Sequence, residues 1–90
     1  MAKAHVDPAE LRRFAQDLNR FNTELESLVG GLNMRLHNLE KTWQDQEQRK
    51  FMNEFELTMK ALSRFLESSN RHASFIVKKA RHIEEYLQQH

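Results

Sequence analysis

The sequence predicts an all-α fold, an antiparallel helical hairpin that pairs with a second hairpin into a four-helix bundle. Three observations predict it. Apolar residues recur at steps of three and four through both halves of the chain. Two glycines and one proline are too few turn-formers for an all-β chain. The phase of the apolar pattern breaks once, near the middle. At 90 residues, positions 1–90 read as a single helical-hairpin domain.

The first helix opens at Asp7-Pro8-Ala9-Glu10. Asp7 can cap, Pro8 suits the first helical position, and Glu10 can reach back to the cap amide. Apolar residues then fall at Leu11, Phe14, Leu18, Phe21, Leu25, Leu28, Leu32, Leu36 and Leu39. Within this seam, Leu11, Leu18, Leu25, Leu32 and Leu39 form an unbroken seven-residue ladder, the mark of coiled-coil packing. The spacing predicts a helix over 8–40. Gly30-Gly31 lies inside it, and each glycine costs a helix interior about 1 kcal/mol. The register nevertheless runs straight through from Leu25 to Leu32. The glycines are therefore read as helical, small enough to let another helix approach closely. A three-helix chain that turns at Gly30-Gly31 stays open as the alternative.

The turn falls where the phase breaks, between Leu39 and Met52. Asp45 with Gln48 three residues on makes a second capping box. This places a short turn around Trp43 and a second helix over 46–88. Its seam is Met52, Phe55, Met59, Leu62, Leu66, Ser69, Ala73, Ile76, Ala80, Ile83 and Leu87. Ser68-Ser69-Asn70 does not interrupt it, since Leu66 and Ala73 stay one heptad apart.

A lone hairpin of this size hides only one stripe on each helix. Beside the first seam lie Ala15, Val29 and Leu36. Beside the second lie Phe51 and Phe65, with Tyr86 in the same lane. Phe75, Val77 and Met34 are further apolar positions off the seams. So wide a band suits four helices better than two. Val29, Leu36, Phe51 and Phe65 are the candidate association face, and the expected partner is an identical chain or a related hairpin. The plainer reading is that these residues thicken the intramolecular seam. Trp43, the one tryptophan, either plugs the end of the hairpin or is presented for recognition at its tip.

Composition excludes much else. Lys and Arg total 14 against 13 Asp and Glu, a formal charge of +1, which argues against a dedicated nucleic-acid binder. The absence of cysteine removes disulfides, cysteine metal sites and thiol catalysis. The histidines, His5, His37, His72, His82 and His90, lack the spacing that sets two ligands on one helix face. Glu84 and Glu85 are adjacent and point apart, and no serine sits in a nucleophile elbow. The chain is expected not to be an enzyme, to bind no cofactor and to take no small-molecule substrate. No apolar run reaches the ~18 residues of a membrane span, and the N-terminus has no apolar signal segment. Membrane insertion is not expected.

One charge bias stands out. Lys60, Arg64, Arg71, Lys78, Lys79 and Arg81 face only Glu67 between positions 57 and 83. Arg64, Arg71 and Lys78 are seven apart and share an outward face. The ordinary reading is a solvated helix surface. The functional one is a basic docking stripe for an acidic partner, an anionic membrane or nucleic acid. No interleaved aromatic platform supports nucleic acid.

A chain of this length, with a Trp near its middle and long helices on both sides, resembles the WXG family of hundred-residue proteins. These are the early-secreted-antigen-like proteins of type VII (ESX) secretion. Trp43 matches the tryptophan of the family's Trp-X-Gly turn, and Phe51 matches the aromatic residue early in the second helix. The turn reads Trp43-Gln44-Asp45 here, with Asp in the glycine's place. Aspartate tolerates left-handed backbone and caps the following helix. The family's C-terminal export signal, Tyr-X-X-X-Asp/Glu, corresponds to Tyr86-Leu87-Gln88-Gln89-His90, with His90 where the acid stands. The resemblance implies a dimerising hairpin and a substrate or pairing partner of the type VII apparatus. It further implies contact with the membrane-bound secretion ATPase and export without a signal peptide. The alternative is a cytoplasmic helical-hairpin adaptor with no secretion role.

Overall fold

The computed structural model describes residues 6–88 and contains two helices, α1 (Pro8–Leu39) and α2 (Gln46–Gln88), packed as one antiparallel hairpin. The hairpin is a rod of 68 × 24 × 15 Å. Asp7 is extended and accepts from the Ala9 amide at 2.9 Å, with Pro8 in the first turn. Glu10 faces Arg13 across 4.0 Å rather than returning to the cap amide. Helix α1 runs through Gly30 and Gly31 without a break, which removes the three-helix alternative. A Cβ at either glycine would meet nothing within 4 Å, so within the hairpin no helix uses the space they leave.

The turn needs no left-handed residue. Glu40 ends α1 in right-handed helical geometry. The Leu39 carbonyl then accepts from the Thr42 amide, the Trp43 amide and the Thr42 hydroxyl at 3.0, 3.0 and 3.2 Å. No described residue has positive φ, so Asp45 does not stand in for the flexibility of a glycine. It caps instead: its carboxylate accepts from the Gln48 amide at 2.9 Å.

The α2 seam lies inward as its spacing predicts, except at its last member, Leu87, which is exposed. Leu66, Ser69, Ala73 and Ala80 are buried, and Met52, Phe55, Met59, Leu62, Ile76 and Ile83 are half-buried. The α1 seam differs. Leu11, Leu18 and Leu25 face α2, but the second inward lane is Ala15, Asn22, Val29 and Leu36. The expected seam members Phe14, Phe21 and Leu28 are exposed, as are Leu32 and Leu39. The reason is width. Opposite the middle of α1, α2 offers the small residues Ser69 and Ala73. A phenylalanine between the helices there would hold them apart, whereas Ala15 and Asn22 let them close.

Candidate functional site

The centre of the hairpin is polar. Asn22, only 2% exposed, accepts from the Ser69 hydroxyl at 2.7 Å and donates to the Asn70 side-chain carbonyl at 3.1 Å. No buried side-chain polar atom of the described residues lacks a partner. The open end is tied by Arg12, which donates twice to Glu84 at 2.6 and 2.8 Å. The hydrogen bond to Arg12 holds the Glu84 carboxyl below its ordinary range and raises Arg12.

The two broad sides of the rod are unlike. On one, Phe14 and Leu18 of α1 face Phe65, His72, Phe75 and Ile76 of α2 across an apolar groove of about 420 Å³. Phe21 meets Phe65 edge to face, with centroids 6.4 Å apart. These rings remain wet: Phe14 is 56% exposed, Phe21 50%, Phe65 46% and Phe75 66%. The other side carries a smaller depression of about 290 Å³ among Glu26, Val29, Met59, Leu62, Ser63, Leu66, Glu67 and Asn70, with charges at its rim.

The four residues of the candidate association face therefore part company. Phe65 lies on the exposed aromatic side. Val29 and Leu36 are half-buried on the inward lane of α1. Phe51 belongs to the tip, where it packs against Trp43 with centroids at 5.5 Å and stacks on Phe55 at the same separation. Trp43 is half-buried by that packing, while Gln44 and Asp45 are exposed. Tyr86 is exposed on the last turns of α2, and His90 lies outside the described residues. Arg64, Arg71 and Lys78 are exposed, opposite the buried stripe of α2. Sequence spacing had assigned Phe14, Phe21 and Leu28 to the interior and passed over Asn22. The doubled step of four, Leu28 to Leu32 to Leu36, was the available sign that the inward lane shifts.

A profile of the family described as proteins of 100 residues with WXG matches residues 3–86. The chain belongs to the WXG100 family. The hairpin is also similar to the crystal structure of the secreted protein EsxB from Bacillus anthracis strain Sterne. The TM-score is 0.81 at 23% identity, over 96% of this chain and 98% of that one. A second crystal form of wild-type EsxB gives 0.76 at 25% identity, over 90% and 93%. A point mutant of EsxB gives 0.79 at 24%, over 94% and 98%. No curated protein matches the chain. WXG100 membership accounts for the helix–turn–helix with tryptophan at the bend. In this member the turn closes without the motif's glycine, because no backbone angle in it requires one. Among the described residues no cluster of potential metal ligands occurs, and no helix is long and apolar enough to cross a membrane.

Proposed function

We propose that this WXG100 hairpin acts as a type VII secretion substrate, or as the pairing partner of one, and does so without catalysis as a four-helix bundle of two hairpins. Family membership over residues 3–86 carries the secretion half of the reading. The exposed aromatic side carries the pairing half. Phe14 and Phe65 line one apolar groove and Phe21 packs edge to face on Phe65, and contiguous apolar surface of that kind marks a protein contact. The partner is a second copy or a related hairpin that covers this side. The packed tip, Trp43 on Phe51, and the terminal Tyr86 are the features offered to the secretion ATPase, and export proceeds without a signal peptide.

The test is export from cells that carry the apparatus, with and without its ATPase. The wild-type chain appears outside the first and stays inside the second. Trp43→Ala and Tyr86→Ala keep the protein folded and inside. Export that continues undiminished without the ATPase overturns the secretion reading and leaves an adaptor role. Light scattering tests pairing separately.

A further inference from the structure

We infer that the outer edge of α2 is a second surface, which lays the hairpin along an anionic phospholipid headgroup layer without inserting into it. Leu57, Arg64, Arg71 and Lys78 form one seven-residue lane. On the helical period this lane lies opposite the buried Leu66, Ser69, Ala73 and Ala80, so neither α1 nor a hairpin on the aromatic side covers it. Successive members stand about 10.5 Å apart along a straight helix. Lys60 extends the cationic edge to about 27 Å. Lys60 is held by Glu56 at 3.6 Å, but no ion pair of the described residues engages Arg64, Arg71 or Lys78. Glu67 is the lone acid of this stretch. A chain of net charge +1 thus concentrates unpaired cations along one line.

The surroundings of the lane favour a lipid surface over a protein. Protein partners dock through a few apolar anchors seated in pockets. Here the flanking depression, bounded by Asn70, Arg71, Ser74, Phe75 and Lys78, lies open along a single helix with no second element to wall it in. The exposed apolar residue of the lane itself is Leu57, 67% exposed, since Phe75 belongs to the aromatic groove. One leucine is too little to bury a helix face, so the row of cations carries the contact and the hairpin stays at headgroup level. A planar anionic layer needs no pocket. It attracts each cation in the row, and its pull decays within a Debye length.

The experiment is sedimentation of the full chain with two sets of vesicles, phosphatidylcholine alone and phosphatidylcholine with about one third phosphatidylserine. The chain pellets with the second and not the first, and rising salt releases it. The triple variant Arg64→Gln, Arg71→Gln, Lys78→Gln binds about a hundredfold more weakly, near fivefold per charge removed. The control variant Arg13→Gln, Arg20→Gln, Lys41→Gln removes the same charge from the outer edge of α1 and the turn, and it keeps most of the binding. Circular dichroism confirms that both variants stay helical. Equal loss in both variants overturns the assignment, because net charge alone then explains it. Equal binding to neutral vesicles, or none to either, also overturns it. So does stripe-dependent capture of soluble poly-glutamate without vesicle binding, which assigns the edge to an acidic protein. Each of these outcomes leaves the secretion reading untouched, because that reading does not use this edge.

Discussion

Asn22 is a buried polar residue between two apolar seams. Its two side-chain hydrogen bonds, to Ser69 and Asn70, match it to one register of the helices. The leucine ladder of α1 repeats every seven residues, so sliding by one heptad would return leucines to leucine positions. It would not return Asn22 to Ser69, and a single buried polar pair is a known means of fixing register. Asn22→Ala leaves the Ser69 hydroxyl unpaired, and urea unfolding should show a loss of about 1–3 kcal/mol. Replacing both partners, Asn22→Leu with Ser69→Ala, should restore stability to wild-type or above, because no buried polar group is then stranded. The Arg12–Glu84 pair works at the open end and titrates. Its hydrogen bond lowers the Glu84 pKa on folding, so the stabilisation is present above the ordinary carboxylate range and is lost as pH falls through the lowered value. Glu84→Gln should therefore lower Tm at neutral pH. Thermal melts should show the difference closing in acid, and a difference that persists at low pH would assign the effect to packing.

The helices themselves were legible because capping and periodicity are local. Asp7-Pro8 and Asp45 mark both starts through hydrogen bonds made within three residues of the cap, and the single phase break marks the bend. The α2 seam was legible for the same reason. Which flank of the α1 ladder turns inward was not, because that choice depends on the width of the facing helix. Ser69 and Ala73 admit Ala15 and Asn22 and exclude Phe14 and Phe21. Periodicity supplies the angle of a side chain and carries no information on the space across from it. Gly30 and Gly31 illustrate the same limit, since their small size looked like room for a neighbour and the hairpin supplies none. Both adopt helical backbone with open space around the missing Cβ. Gly30→Ala and Gly31→Ala should each raise helix stability by about 0.5–1 kcal/mol, read as a higher urea midpoint. A fall in the midpoint, together with weakened pairing, would place a second chain against these glycines.

At the scale of the whole molecule the difficulty is thinness. A rod 15 Å deep has no interior beyond the contact of its two helices, and among its described residues the buried apolar ones are Ala15, Leu66, Ala73 and Ala80. Alanines bring helices together but bury little area, while Phe14, Phe21, Leu28, Phe65 and Phe75 leave large apolar side chains exposed on one outer side. Covering that side with another hairpin turns two thin layers into one core with helix on helix, the arrangement in which amphipathic helices become stable. The charge-introducing variant Phe21→Asp with Phe65→Asp tests this directly. Phe21 and Phe65 are already about half covered in the hairpin, so covering the rest of each ring contributes about 0.75–1.5 kcal/mol; a pair loses two rings from each chain, so the dissociation constant should rise at least about a hundredfold. Light scattering on a dilution series should then move from about twice 10.8 kDa to the single-chain mass. Val29→Ala with Leu36→Ala provides the contrast, because both side chains face α2 within the chain. That variant should lower the urea midpoint of the hairpin while folded chains still pair. If instead it dissociates folded chains while the aspartate variant stays paired, the inward lane of α1 is the intermolecular surface and the aromatic side is not.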